Sequence, residues 1–271
     1  MRLNPEPAAP ISTPPRLIGA VPRQSRVNPT PSMSSESSVA PRRRPADRGI
    51  YTWAALIAVM IVFAGFARTY YLKSVFGTPA LSSLVHLHGL VMTLWFTLFF
   101  VQVRLVATAR VALHRRLGYL GGVLAATVVA VGTLTAITAA RNGATPGPPP
   151  LVFLTIPLGD MVVFAILVSL GLAYRNRMAI HKRLILLSTL SMLTAAIARI
   201  PLEIVRNGGL PLFFALTDLC VIGCVSFDTV KQKRLHPAFG WGFLFIIASQ
   251  AFRFWLSGTP QWLRFATWLV S

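Results

Sequence analysis

The sequence is poor in acidic residues and in cysteine, and both shortages limit what the protein can be. Only 7 residues are Asp or Glu against 26 Lys and Arg, and charged residues make up 12% of the 271 residues. Such an excess of positive charge is typical of nucleic-acid-binding proteins, but here the basic residues form no patch interleaved with aromatics, so no nucleic-acid partner is predicted. Cys220 and Cys224 lie one helical turn apart, a spacing that rarely suits a disulfide, and we interpret them as packing residues.

Several motifs of known enzymes and metal sites are also missing. The sequence contains no Gly-rich phosphate loop, no GxSxG turn and no cysteine paired with a base. The close spacings HxxxH and HExxH do not occur, so no metal site is predicted. Seven-span metal hydrolases carry a histidine pair one turn apart in a late span, and the last apolar run here has none. Whether the protein is an enzyme stays open on these grounds.

The sequence does contain a series of long apolar runs. Hydrophobic residues make up 54% of the chain, and runs of about 20 such residues are long enough to cross a bilayer as helices. The predicted fold class is all-α: a seven-transmembrane-helix bundle over residues 49–258, in which three helical hairpins follow an N-terminal anchor helix. The spans are predicted at about 51–72, 81–107, 117–139, 151–173, 182–204, 211–229 and 238–257.

The two ends of the chain differ from this apolar domain. Residues 1–48 are rich in Pro and Ser, carry Arg42, Arg43, Arg44 and Arg48, and lack the apolar core of a signal peptide. They are predicted to be a disordered basic tail, followed by an uncleaved anchor helix. The basic run is interpreted mainly as a topology signal, with contact to anionic lipid as the alternative. Residues 259–271, with Trp262 and Trp268, are predicted to form an interfacial segment at the outer surface.

Basic residues alternate between successive connections, which predicts an orientation. Connections rich in Lys and Arg remain in the cytoplasm. We therefore expect a multi-pass protein of a bacterial inner membrane, with a cytoplasmic N-terminus and an extracytoplasmic C-terminus. The basic connections are the tail and residues 104–116, 175–183 and 231–234, whereas the outer breaks are GTPAL (77–81), NGATPGPPP (142–150) and NGGLP (207–211).

Each cytoplasmic corner of the three hairpins has a histidine where the returning helix begins: His114, His181 and His236. A bis-histidine haem needs two imidazoles from different helices at one depth, with cations near its propionates. The pattern predicts one haem b on the cytoplasmic side, held by these histidines with Arg115 and Arg183 near the carboxylates. The alternative is that the histidines contact headgroups and that the glycines after His114 serve helix packing alone.

A second group of ionisable residues lies in the outer half of the spans. His86 and His88 are two residues apart and point to opposite sides of a helix, so they cannot chelate one ion together, and we favour His86 as the inward one. Acids and arginines at one depth are expected to pair, either as a lattice that fixes helix packing or as a proton or ion relay. The group comprises His86, His88, Asp160, Arg199, Asp218 and Arg253.

The fifth run is predicted to be the wall of a buried polar site. His181 and Arg199 are 18 residues apart, which is five helical turns, so a regular helix would place them on one face. An arginine in hydrocarbon is costly and is expected to face the interior of the bundle.

Three short motifs carry a resemblance to a known family. They are HLHG with His86, His88 and Gly89; HRRLG with His114, Arg115 and Gly118; and HKRLILL with His181 and Lys182, followed by Arg199. Over about residues 81–205 their order resembles a family of predicted bacterial membrane proteins known only as a domain of unknown function. The resemblance implies a multi-pass membrane fold with functionally important histidines, and implies no activity.

Three functions follow as hypotheses. The first is a membrane redox or b-type haem-associated protein, which would work with a redox or assembly partner in the bilayer. The second is a transporter or proton relay through the buried His, Asp and Arg layer. The third is a scaffold or assembly factor without site chemistry.

Overall fold

The computed structural model describes residues 46–271, and it confirms the all-α seven-helix bundle. The predicted disordered tail, residues 1–48, lies outside the described part except for residues 46–48, which are helical and lead into the first apolar span. Seven helices are long and apolar enough to cross a membrane, so the chain is a multi-pass membrane protein. They are α1 (Gly49–Tyr71), α2 (Ser83–Ala107), α3 (Val111–Arg141), α4 (Pro150–Ala173), α5 (Met178–Ile197), α6 (Glu203–Gln232) and α7 (Pro237–Ser257), and a shorter helix follows, α8 (Pro260–Val270).

Local sequence explains where several of these helices begin. Ser82 precedes α2, and its hydroxyl accepts the Val85 N–H at 3.3 Å. Thr259 caps α8 in the same way, accepting the Trp262 N–H at 3.2 Å. Pro237 and Pro260 occupy the first turns of α7 and α8, where a missing N–H costs nothing.

The fifth helix is the centre of the bundle. In its most apolar window 72% of the residues are buried, whereas no other span exceeds 44%. It packs against α1, α4, α6 and α7. Ser188 and Thr189 donate their hydroxyls to the Ile185 carbonyl within the helix, whereas the Thr194 hydroxyl bonds that of Thr217 in α6 at 3.0 Å. A helix surrounded by protein can therefore carry polar residues that a lipid-facing helix would not tolerate.

The fifth helix is shorter than predicted. It tightens to a 3₁₀ turn at Ser191–Leu193 and ends at Ile197, whereas the predicted span runs to residue 204. Pro201 disfavours helical geometry in the residue before it, which is consistent with this early stop. Arg199 lies in the turn after the helix, so the five regular turns expected between His181 and Arg199 do not exist.

The sixth helix is interrupted where NGGLP predicts a break. Gly209 has φ 62° and ψ −168°, a conformation open to glycine, and Pro211 follows it. The predicted loop is therefore a kink within α6, and the helix already begins at Glu203.

The helices follow the predicted order of hairpins, but the third pair is more open than the others. The pairs α2–α3 and α4–α5 pack closely, whereas α7 packs chiefly against α4 and α5 and less against α6. Glycines allow the close packing of α7 on α4 and α5. Leu187 of α5 lies over Gly242 of α7, and the Arg253 side chain of α7 lies over Gly159 of α4. The small residues let α7 approach the centre of the bundle.

The final helix docks on the ends of α3 and α4. The Trp262 indole N–H donates to the Leu151 carbonyl at 2.8 Å, and Arg141 donates to the Val270 carbonyl at 2.7 Å. Trp262 and Ala266 are buried, whereas Trp268 is 69% exposed. Large apolar side chains such as Trp53, Val123 and Trp241 also cover the outside of the bundle, as contact with a lipid bilayer requires.

Candidate functional site

Two of the three corner histidines lie together at the predicted cytoplasmic end of the bundle. His114 in the first turn of α3 and His181 in the first turn of α5 have ring centroids 6.3 Å apart, with ring planes at 75°. Both side chains are half-buried. The expected convergence of imidazoles from two different helices therefore occurs for this pair.

The ring of His181 is fixed by the end of α4. Its Nδ1 lies 2.7 Å from the carbonyl oxygen of Gly171. A carbonyl only accepts hydrogen bonds, so Nδ1 must carry the hydrogen and donate it. In the neutral ring the lone pair is then on Nε2. Gly171 is buried against Ile185, and a side chain there would collide with Ile185.

The ring of His114 is fixed by Gln102, a residue that the sequence analysis missed. We assign the Gln102 amide from its neighbours: its oxygen accepts the Gly118 N–H at 3.1 Å, and its nitrogen donates to His114 Nδ1 at 2.7 Å and to the His114 carbonyl at 3.2 Å. In this orientation the amide oxygen faces the Gly118 N–H donor, and the amide nitrogen faces the two acceptor atoms of His114. Nδ1 of His114 is therefore an acceptor, and Nε2 carries the hydrogen. The only signal in the sequence is one polar residue within the apolar FFVQV run.

An apolar groove lies between α3 and α4, further along the bundle than the histidine pair, and neither histidine lines it. Its volume is about 350 Å³, within the range of about 300–1,000 Å³ that small-molecule and cofactor sites occupy. It begins at Gly122, about 12 Å along α3 from His114, and at Leu172, next to the Gly171 that holds His181. The rest of the wall consists mainly of small residues: Ala125, Ala126, Ala130, Ala165 and Ser169, with Val129 and Val168.

His236 does not join the pair, which corrects the expected ring of three histidines. Its Nδ1 accepts the Ala238 N–H at 3.1 Å, so the ring caps α7. Burial lowers the pKa of His236, Arg183 lowers it further, and Asp228 opposes them, so these charges lie near its ring. His236 lies near Arg183, which is two residues from His181 and therefore points to the opposite side of α5. This helical geometry keeps His236 away from His181.

Arg183 is not available to a haem carboxylate, which corrects its predicted role. Its Nη2 and Nε donate to the same oxygen of Asp228 at 2.6 and 2.9 Å, and Nη1 donates to the Ala179 carbonyl at 2.7 Å. The two side chains are 3% and 5% exposed. Asp228 was missed by the sequence analysis, although it is one of only 7 acidic residues and lies one turn from the end of α6. Of the basic residues proposed for the propionates, Arg115 remains, with Arg116 beside it, and both are exposed.

The outer polar layer forms only in part. Arg253 pairs with Asp160 at 2.5 Å and also donates to the Ile156 carbonyl at 3.2 Å. Asp218 accepts from the Gln250 amide at 2.9 Å. These contacts join α4 to α7 and α6 to α7, so the expected pairing of acids with arginines holds for Asp160 and Arg253.

Arg199 pairs with neither Asp160 nor Asp218. Its guanidinium donates to the Ala195 carbonyl at 2.8 Å and lies 4.9 Å from the centre of the Phe66 ring. Its positive charge also acts on His88 of α2. Arg199 therefore belongs to the outer end of α1 and α2 and lies apart from the aspartates.

The preference for His86 as the inward histidine is wrong. His86 is exposed and His88 is half-buried. The inward face of α2 is the one that buries Val91, Trp95 and Phe99, and His88 lies on that face. Burial of large aromatic side chains decided the rotation of the helix, whereas the prediction had followed the stripe that His86 shares with Ser82, Thr93 and Thr97.

The His114–His181 pair has the spacing that a shared metal ion would require. A transition metal binds an imidazole nitrogen at about 2 Å, so an ion between two such nitrogens separates the ring centres by roughly 6 Å. Metal-binding histidines usually donate their second ring N–H to a carbonyl or carboxylate, as His181 does to Gly171. Among residues 46–271, neither Nε2 atom of the pair has a hydrogen-bond partner. A haem iron between the two rings is therefore compatible with the residues present.

No protein-family model, no curated protein and no solved structure matches this chain.

Proposed function

We propose that this chain is a membrane haem protein that holds one haem b between His114 and His181. The single observation that carries the proposal is the 6.3 Å separation of two imidazole centroids from different helices. Each Nδ1 is already occupied, by Gly171 or by Gln102. His181 therefore has the lone pair of Nε2 for the iron, and His114 would bind it after Nε2 loses its hydrogen.

The surroundings of the pair support an amphiphilic planar ligand. The groove between α3 and α4, which begins about 12 Å along α3 from His114, offers small apolar side chains. Arg115 and Arg116 at the start of α3 supply exposed positive charge for carboxylates. The haem itself would supply one-electron chemistry. We further propose that the protein lies in a bacterial inner membrane and exchanges electrons with a partner there.

The contacts of the outer polar layer support the proton-relay hypothesis less well than those of the histidine pair support haem binding. A relay needs ionisable groups that exchange protons along a path, whereas Asp160 is held by the permanent charge of Arg253 and Arg199 lies apart from both aspartates. A buried ion pair between α4 and α7 also fixes the packing of α7 on α4 without any transport. We therefore assign Asp160 and Arg253 a role in helix packing.

The test is the visible spectrum of the full chain, purified in detergent from haem-replete cells. We expect a Soret band that responds to dithionite, at about one haem per chain. His181→Ala should lose the band, because it removes the ring that presents a lone pair at Nε2.

His236→Ala is the matched control, since it removes a histidine at the same end of the bundle that faces a different cluster. It should retain the band. A colourless preparation of the unmutated chain, or a full band in His181→Ala, would contradict the proposal.

A further inference from the structure

A second group of polar side chains lies at the predicted outer end of the bundle, where α1, α2 and α5 meet. Arg199 follows the last turn of α5, and its Nη1 donates to the Ala195 carbonyl at 2.8 Å. The guanidinium lies 4.9 Å from the centre of the Phe66 ring of α1. Its positive charge acts on His88, which is half-buried in α2. Three helices therefore surround a single guanidinium.

Both polar side chains of this junction have hydrogen-bond donors that the fold does not use. A guanidinium carries five N–H donors in a planar fork, and Arg199 gives one of them to a backbone carbonyl. Within residues 46–271, the remaining donors of Arg199 and both ring nitrogens of His88 have no hydrogen-bond partner. Arg199 is exposed, so a ligand can reach the guanidinium from outside the bundle. An anion that enters here can accept hydrogen bonds from both side chains.

Neither membrane topology nor pairing inside the protein accounts for Arg199. Basic residues are retained on the cytoplasmic side, so topology disfavours an arginine at the predicted outer end. Asp160 and Asp218 are bound by side chains of α7. Glu203 is the nearest acid in sequence, but it is exposed and forms no ion pair in the described part of the chain. An arginine in this position gains most from an anion that the protein itself does not supply.

The depth and the chemistry of the junction favour a phosphate group. Phe66 and His88 each lie about 8 Å inside the outer ends of α1 and α2, near the outer edge of a hydrocarbon core about 30 Å thick. Arginine binds phosphate through two parallel N–H···O bonds, which leaves a further oxygen for the His88 N–H. Gly65 of α1 packs on the backbone of Ala196, so the two sides of the junction are already held together before a ligand binds.

We propose that Arg199 and His88 form a binding site for a phosphate group at the outer end of the bundle, between α1, α2 and α5. The guanidinium binds two phosphate oxygens, and the His88 N–H binds a third. The phosphate is that of a phospholipid in the outer leaflet or a free phosphate ion, and the exposed guanidinium is accessible to both. The site lies at the opposite end of the bundle from the histidine pair and does not depend on the proposed haem.

The test uses the full chain, labelled with ¹⁵N-histidine and purified in a maltoside detergent without phosphate. Inorganic phosphate and dihexanoyl-phosphatidylglycerol are titrated separately at constant ionic strength, and NMR follows the ring nitrogens. His88→Ala and His86→Ala assign the two signals. We expect a saturable shift of the His88 signal and none of His86, which points to the other side of α2. Saturation by inorganic phosphate identifies the free ion as a ligand, and saturation by the lipid alone identifies the headgroup.

Arg199→Gln removes the fork and should weaken binding of the probe on the order of 10-fold or more. Arg199→Lys keeps the positive charge without the fork, so it should also weaken binding, but less. Arg206→Gln is the matched control, because it removes an exposed positive charge from α6 at the same end of the bundle, and it should bind as the unmutated chain does. The absence of a saturable His88 shift with either probe, or equal weakening by Arg199→Gln and Arg206→Gln, would overturn the proposal.

Discussion

At the scale of single residues, three of the 7 acidic side chains pair inside the bundle. Asp228 and Asp160 each bind an arginine, and Asp218 binds the Gln250 amide. A buried charge without a partner costs several kcal/mol. Because acids are scarce here, losing one of them leaves its arginine without any neighbouring substitute in these contacts.

The Arg183–Asp228 pair gives a direct test of this argument. Asp228→Leu leaves the guanidinium buried and uncompensated, so we expect the free energy of unfolding to fall by about 3–5 kcal/mol. The double variant Arg183→Met with Asp228→Leu removes both charges and should recover most of that loss. Unfolding of the purified chain in mixed micelles measures both. A double variant no more stable than Asp228→Leu alone would show that the pairing of the charges is not what matters.

At the scale of helices, small residues decide which spans come close. Gly65 of α1 lies against the backbone of Ala196, near the outer end of α5. In a bilayer, such close approach contributes packing energy that apolar side chains alone do not supply between helices, since lipid is equally apolar. The contact ties the anchor helix to the centre of the bundle.

A methyl group added at Gly65 would overlap the Ala196 backbone, which cannot move aside as a side chain can. We expect Gly65→Ala to lower the free energy of unfolding by about 1–3 kcal/mol through overpacking. Gly223→Ala in α6 is the matched control, since nothing lies within 4 Å of an added Cβ there. It should be neutral, or stabilising by up to about 1 kcal/mol. Equal effects at the two sites would contradict this account of the α1–α5 contact.

At the scale of the whole molecule, the distribution of Lys and Arg predicts how the bundle is oriented in the membrane. The connection after α4 is basic, with Arg175 and Arg177, whereas the connection after α3 contains NGATPGPPP and no basic residue. Basic connections are retained in the cytoplasm. The haem site proposed between His114 and His181 would then lie at the cytoplasmic face.

Single cysteines in two exposed connections test this orientation. Ala144→Cys should react with a membrane-impermeant maleimide in intact spheroplasts, whereas Asn176→Cys should react only after the membrane is opened. Each is made with Cys220→Ser and Cys224→Ser, and the parent without cysteine is the background control. Labelling of Asn176→Cys in intact spheroplasts would reverse the predicted topology.

The sequence by itself determined the fold class and the approximate bounds of most spans. Long apolar runs have one stable form in hydrocarbon, a helix that satisfies its own backbone hydrogen bonds, so length and composition were sufficient. Capping residues such as Ser82 and Thr259 also act over only a few neighbouring residues. The sequence further singled out His114 and His181, because each stands where the returning helix of a hairpin begins, but the same pattern also selected His236, which does not join them.

Only the tertiary structure decided which side chains meet. Whether His86 or His88 points inward depends on how α2 rotates to bury Trp95 and Phe99, a choice made by packing across the bundle. The separation of His236 from the pair, and the partnership of Arg183 with Asp228, follow from α7 packing on α4 and α5, which no local pattern encodes. Gln102 is 12 residues from His114 in sequence, and its role at the Nδ1 atom exists only because α2 folds back against α3. Local sequence fixes the form of each helix, whereas contacts between helices depend on the shapes of all their neighbours at once.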